Sequence, residues 1–170
     1  CNPAGVKRQL IGAFSKDVAR SMAGILERLD SEHIVTVHAD VGLDELSTTG
    51  RSTLFEVKAN GRGSESPESA IETHRVSPEA HGIETAQPED LQGGSADENS
   101  RILQNILQGS RGPRRDIVVL NAGYALYTSG QYDDIDSALA EARESIDSGA
   151  ALESLEALIE VSQEAAGRDA

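Results

Sequence analysis

The sequence predicts an α/β protein in which a sheet forms early in the chain and the later helices pack on one side of it. Three observations carry that expectation. A β-branched run, Ile34-Val35-Thr36-Val37-His38, follows a segment whose apolar residues recur at helical spacing. Two strand-like runs, 52–58 and 70–76, flank a turn-rich stretch. From Ser95 onward the apolar residues recur with the period of a helix.

Asn2-Pro3 and Gly5 read as a turn, and Arg8 to Phe14 as a short apolar run fit for a buried strand or loop. Ser15 is placed to cap a helix through about Leu29, with Val18, Met22, Ile25, Leu26 and Leu29 on one face. The strand at 34–38 follows, then a loop from Asp40 to Thr49. The runs 52–58 and 70–76 read as a hairpin with a long tip, Asn60 to Pro67. Residues 77–94, punctuated by Pro and Gly, read as irregular. Ser95-x-x-Glu98 is a capping box opening a helix to about Gln108, with Ile102, Leu103, Ile106 and Leu107 turned inward and Gly109 as its stop. Asp116 to Tyr127 is apolar almost all round. Its periodicity favours a strand at Ile117-Val118-Val119-Leu120, against a helix starting near Pro113. From about Asp134 two helices are expected, broken near Ser148-Gly149.

Composition narrows the function. The 170 residues suffice for one domain with a real core. Only 3% are aromatic, so Leu, Ile, Val and Ala must fill that core. A net charge of −14 argues against nucleic acid as a partner, because phosphate binding needs a basic footprint. Of the 15 basic residues only Lys7, Lys16 and Lys58 are lysines; this fits either adaptation to high salt or compositional drift. A single Cys, Cys1, excludes an intrachain disulfide, and the four His show no metal-ligand spacing in sequence. No apolar run approaches the ~20 residues that span a bilayer. No signal peptide is visible, so a cytoplasmic location and no membrane partner are expected. The chain starts without Met, inside what reads as a loop, and is expected to be part of a longer protein.

The residues with chemical potential are few. Asp44-Glu45 lies shortly after the strand at 34–38, in the kind of loop where open α/β sheets bind ligands. Adjacent carboxylates offer hard oxygens to Mg²⁺, which usually binds one or two of them together with substrate phosphates. Acidic pairs are common in so acidic a chain (Glu89-Asp90, Asp97-Glu98 and Asp133-Asp134 are others), and the competing reading is a solvated acidic loop. Gly93-Gly94-Ser95 could hold an anion at a helix start or be a plain capped loop. Ser47, Thr48 and Thr49 could bond a phosphate or their own backbone. Arg114-Arg115 could meet an acidic partner, but arginines at a helix start are more often exposed. Asn121-Ala122-Gly123 resembles a nucleotide-binding turn, without the glycine pattern that would support it. His38, near Asp40 and Asp44, could be a base or a structural histidine. No nucleophile triad is visible, and no catalytic residue is assigned.

Several segments together resemble the anthranilate phosphoribosyltransferases. They are Asn2-Pro3-Ala4-Gly5-Val6-Lys7-Arg8-Gln9-Leu10-Ile11-Gly12, Val37-His38-Ala39, Gly42-Leu43-Asp44-Glu45-Leu46-Ser47, Gln87 to Gly94, Glu98-Asn99, Leu120 to Tyr127 and Ala142 to Ala151. Spread in this order they cover nearly the whole chain. The resemblance implies the distal portion of the large α/β domain shared with nucleoside phosphorylase-like proteins, a mixed sheet with a hairpin and flanking helices, over residues 1–170. It also implies a helix, not a strand, at 117–120. It implies transfer of a phosphoribosyl group from phosphoribosyl pyrophosphate to anthranilate, with release of pyrophosphate, in tryptophan biosynthesis. Asp44 and Glu45 would bind Mg²⁺ on the pyrophosphate. The family's glycine-rich pyrophosphate loop, its Lys-His-Gly-Asn segment, its anthranilate-binding Arg and its small N-terminal helical domain, through which it dimerises, are not found here. The chain alone is therefore expected to be inactive, and the longer protein a homodimer. The polar stretch 60–69 departs from the family and reads as a surface elaboration.

Three other readings compete: a non-catalytic, nucleic-acid-binding relative, opposed by the charge; a pyrimidine nucleoside phosphorylase-like protein, opposed by the Leu-Asp-Glu loop; and a stand-alone interaction module, opposed by the sheet edges it would leave bare.

Overall fold

The computed structural model describes residues 5–29, 31–58 and 71–168. The first strand, β1 (Arg8–Gly12), leads through helix α1 (Lys16–Glu27) into β2 (His33–Ala39), which lies parallel to β1. Strands β3 (Ser52–Lys58) and β4 (Glu72–Val76) follow antiparallel, giving one mixed four-stranded sheet in the order β1-β2-β3-β4. Two single 3₁₀ turns, Pro78–His81 and Pro88–Leu91, punctuate the otherwise irregular 77–94 stretch. Four helices complete the chain: α2 (Ala96–Leu107), α3 (Pro113–Ser129), α4 (Ile135–Asp147) and α5 (Ala150–Arg168). The expected hairpin is present as β3–β4, while its tip and the 60–69 stretch lie outside the described residues. No described helix is long and apolar enough to cross a membrane.

Pleat alternation sorts the sheet residues to two covered faces. Ile34, Phe55 and Val57 face α1. Val35, Val37 and Leu54 face α3 and, behind it, α4. With both faces of β2 buried, its sequence reads as a continuous apolar run. Helix α1 is capped as expected, Ser15 Oγ accepting from the Val18 amide at 3.3 Å. The residues it sets deepest against the sheet are Ala19 and Ala23, not the larger apolar residues of the expected face. Two alanines let the helix come close enough for the Thr36 hydroxyl to donate to the Ala19 carbonyl at 2.8 Å. Ile25 and Leu29 are left exposed, and in the run after β1 so is Phe14, at 76%.

Residues 117–120 are helical, which corrects the strand favoured by periodicity and agrees with the family resemblance. Pro113 starts α3 at a position where its missing amide costs nothing, and Gly130 ends it in a left-handed conformation. The helix is apolar on opposite sides because it is packed between the sheet and α4. Gly123 makes the second contact close: a Cβ there would fall 2.5 Å from Leu139 Cδ2 and 3.2 Å from Leu139 Cα. Arg115, expected to be exposed, is 5% exposed and bonds Asp147 at 2.8 Å, tying the start of α3 to the end of α4.

A polar network interrupts the α3 face of the sheet. Glu56, 7% exposed on β3, accepts from Tyr127 at 2.9 Å and lies 2.7 Å from His33 Nε2 and 3.2 Å from Lys58 Nζ through the same oxygen. Its other oxygen lies 3.1 Å from His74 Nε2 on β4. Burial pushes the Glu56 carboxyl up, but the bonds from His33, Tyr127 and Lys58, with the Lys58 charge, outweigh it and hold the group at about 2. A carboxyl depressed on folding stabilises the protein above its ordinary value and loses that contribution as the pH falls through the folded one.

Gly123→Ala should lower the urea midpoint, because overpacking against Leu139 costs about 1–3 kcal/mol while alanine's helix preference returns only about 1 kcal/mol; a raised midpoint would contradict the close packing. Glu56 should contribute on the order of 3 kcal/mol at neutral pH. Wild-type stability should therefore decline between pH 4.5 and about 2, and Glu56→Gln should flatten that decline. A variant whose acid profile runs parallel to wild type would show that Glu56 is not the titrating group.

Candidate functional site

The parallel strands β1 and β2 end at the same edge of the sheet: Gly12 closes β1 level with Val37, and β2 runs two residues further to Ala39. The loop after β2 crosses the end of β1, and the sequence permits this at one point: a Cβ on Gly12 would fall 1.4 Å from the Asp44 carbonyl oxygen. The loop is anchored on both sides of Asp44-Glu45. The Leu43 carbonyl accepts from the Ala39 amide at 2.9 Å. Leu46 is fully buried in the core, and its peptide is bracketed by Asn121: the Leu46 amide donates to Asn121 Oδ1 at 3.0 Å and Asn121 Nδ2 donates to the Leu46 carbonyl at 2.9 Å. Asp44 and Glu45 themselves remain exposed.

Electrostatics separates the acidic residues of this region. Asp40 is neutralised, with Lys16 Nζ at 2.6 Å and Arg75 on its other oxygen. The Lys16 hydrogen bond lowers its carboxyl, against the effect of burial, with help from the charges of Arg75, Lys16 and His38. The other three acidic pairs are spent on caps and turns: Asp90 accepts from the Gln87 amide at 2.9 Å, Glu98 from Ser95 at 2.8 Å and Asp134 from Ser137 at 2.8 Å. Among the described residues, Asp44 and Glu45 form the pair whose carboxylates have neither a cation nor a hydrogen-bond donor from the protein. Burial and the neighbouring Asp44 charge both push the Glu45 carboxyl up. Two uncompensated hard-oxygen groups in repulsion, at the carboxyl end of a parallel strand pair, fit a divalent cation.

Beside Glu45 opens a cleft of about 340 Å³, lined mainly by Leu43, Leu91, Ile102 and Ile106, with Arg114 as its cation. The Arg114 guanidinium also donates to the Gln92 carbonyl at 2.8 Å.

The remaining candidates take bland roles. At Gly93-Gly94-Ser95 the loop amides are bonded internally: the Gly94 amide donates to Asn99 Oδ1 at 2.9 Å and the Ser95 amide to Glu98, while Ser95 Oγ accepts from the Glu98 amide. Of the two readings left open there, the structure shows the capped loop. The Ser47 hydroxyl contacts the Thr49 hydroxyl at 2.9 Å and accepts from the Thr49 amide at 3.0 Å, holding the loop's own backbone. His38 is structural, its Nδ1 lying 2.9 Å from the Ala13 carbonyl oxygen. Asn121-Ala122-Gly123 is mid-helix, not a nucleotide-binding turn; Asn121 holds the metal-candidate loop and Gly123 seats α4.

Folding also brings together a group that linear spacing concealed. Glu56, Glu72 and His74 place donor atoms within 4.8 Å of one another on β3 and β4. This cluster lies toward the opposite end of β2 from Asp44, since Glu56 pairs with Val35 while Ser52 pairs with Ala39. It is the poorer cation site, because the Lys58 ammonium already compensates Glu56 and the same oxygen is bonded to His33. The visible signal for it was a glutamate in the middle of an otherwise strand-like run, Leu54-Phe55-Glu56-Val57.

Comparison with known proteins identifies the family and the fold. Residues 1–152 match the model of the glycosyl transferase family, a/b domain. The anthranilate phosphoribosyltransferase of Salinibacter ruber is 51% identical over 166 residues, 97% of this chain and 47% of that protein. The chain thus spans about half the length of the curated relatives it matches. Among solved structures, the anthranilate phosphoribosyltransferase of Thermus thermophilus superposes with a TM-score of 0.75 at 34% identity, covering 91% of this chain and 43% of that one. The Saccharomyces cerevisiae enzyme in complex with PRPP and Mg gives a TM-score of 0.69 at 28% identity, over 86% of this chain and 40% of that one. On sequence and fold alike, the chain belongs to the glycosyl transferase family through its a/b domain, and its relatives there are anthranilate phosphoribosyltransferases.

Proposed function

We propose that this chain is the distal portion of the α/β domain of a longer anthranilate phosphoribosyltransferase, a cytoplasmic homodimer, and that Asp44 and Glu45 hold Mg²⁺ against the pyrophosphate of phosphoribosyl pyrophosphate. The observation that carries the reading is the exposed, cation-free Asp44-Glu45 pair at the carboxyl ends of β1 and β2, in a chain of this family.

In the reaction a C–N bond forms between the anthranilate amine and the ribose C1 as the C1–O bond to pyrophosphate breaks. The bonding pair leaves with pyrophosphate, and the amine gives up a proton. Anthranilate's amine is a weak neutral nucleophile, so the barrier is governed by how readily the leaving group departs. When bound, Mg²⁺ neutralises charge growing on pyrophosphate. The part of this chain is to hold the two carboxylates at fixed positions above the sheet, so that cation and leaving group are oriented before reaction. The remaining substrate contacts belong to segments earlier in the longer protein.

The test is steady-state turnover of the longer protein carrying this chain, followed by the loss of anthranilate fluorescence. Asp44→Asn with Glu45→Gln should lower kcat/KM at least ~100-fold, as expected where an electrostatic contribution to the transition state is removed, while the isolated 170-residue chain should give no product. Full activity of the double variant would overturn the metal assignment, and turnover by the isolated chain would overturn its dependence on the earlier segments.

A further inference from the structure

We propose that Asn121 is a positioning residue for the metal loop: its carboxamide holds the Leu46 peptide, and thereby the Asp44-Glu45 carboxylates, in place before a cation arrives. The proposal rests on the reading of Asp44 and Glu45 as metal ligands. The two halves of the contact come from segments 75 residues apart in sequence, so no local turn preference supplies them. Asn121 Oδ1 accepts from the Leu46 amide at 3.0 Å, and Nδ2 donates to the Leu46 carbonyl at 2.9 Å. The same Nδ2 donates to the Ile117 carbonyl at 3.0 Å, one turn back in α3, which fixes the amide's orientation. An irregular loop has no ladder to satisfy its backbone, and Leu46 is wholly buried. Asn121 therefore meets an obligation that the loop cannot meet alone.

The consequence reaches the carboxylates through geometry. Leu43 is fixed to Ala39, the Asp44 carbonyl rests over Gly12, and Leu46 is fixed to Asn121. The acidic pair sits between these points. Released at Leu46, the loop can swing and let two like charges move apart, the arrangement they prefer without a cation. Asn121 opposes that relaxation while touching neither metal nor substrate. Groups that orient metal ligands in this way typically account for 10- to 100-fold of metal affinity.

The experiment uses Mn²⁺ as the probe, its affinity for the full chain read from water-proton relaxation, together with amide exchange at Leu46. Asn121→Ala should weaken Mn²⁺ binding about 10- to 100-fold and speed exchange at Leu46. Asn121→Gln, which keeps both polar atoms on a longer arm, should fall between the two and serves if the alanine variant fails to fold. Gly123→Ala, which perturbs the same helix without touching the loop, should leave the affinity unchanged. Unchanged Mn²⁺ affinity in both Asn121 variants would overturn the inference, as would an equal loss in Gly123→Ala. If wild type itself shows no Mn²⁺ binding that depends on Asp44 and Glu45, the metal reading fails and carries the inference with it; slowed exchange at Leu46 relative to the variants would then mark Asn121 as a purely structural clamp.

Discussion

The close seating of the Asp44 carbonyl on Gly12 is the constraint from which the candidate site follows. A strand end normally projects a Cβ from each residue, and such a group at position 12 would occupy the place of that oxygen. With glycine there, the loop after β2 crosses over β1 instead of passing beside it, and Asp44-Glu45 comes to lie above the junction of two parallel strands. The closeness is also fragile, since almost any side chain at position 12 would push the loop away. The bonds that Leu43 makes to Ala39 and Leu46 to Asn121 then hold what the glycine permits.

Charge is organised around the same sheet in two unlike ways. Toward the amino end of β2, Glu56 is buried, paired with Lys58 and bonded to His33, Tyr127 and His74, so its charge is kept at neutral pH and serves the fold. Beyond the carboxyl end, Asp40 is compensated by Lys16 and Arg75, while Asp44 and Glu45 are not. Exposed like charges repel only weakly in water and are screened by salt, and a divalent cation bound between them would relieve what repulsion remains. That contrast separates the two clusters, although among the described residues only Glu56, Glu72 and His74 bring three donor groups within 4.8 Å of one another.

Much of the fold was legible because local rules and tertiary packing agree. The Ser15 and Ser95-Glu98 caps, the β-branched strand and the break at Ser148-Gly149 all stand where propensity puts them. Residues 117–120 misled because a helix packed between a sheet and another helix is apolar on opposite sides, and its period is erased. On α1 the deepest positions went to alanines, because close approach rather than side-chain size decided which face meets the sheet. The loop and its two carboxylates were legible as a candidate. What distinguished them from the other acidic pairs was legible only in part: the Ser95-Glu98 box shows in the spacing, whereas the lack of any protein partner at Asp44 and Glu45 among the described residues shows only in the fold. Asn121 was visible only as part of a motif with a different meaning, because its partner lies 75 residues away.

Binding of a divalent cation at Asp44-Glu45, in a loop formed before the cation arrives, is the point on which the functional reading turns. Its most direct test is paramagnetic line broadening by Mn²⁺ in the amide spectrum of the isotopically labelled chain. Broadening should centre on the amides of residues 43–46 and on Gly12 and Ala13 beneath them, and disappear in the Asp44→Asn, Glu45→Gln double variant. Broadening centred instead on Glu56, Glu72 and His74, or left unchanged by the double variant, would contradict it.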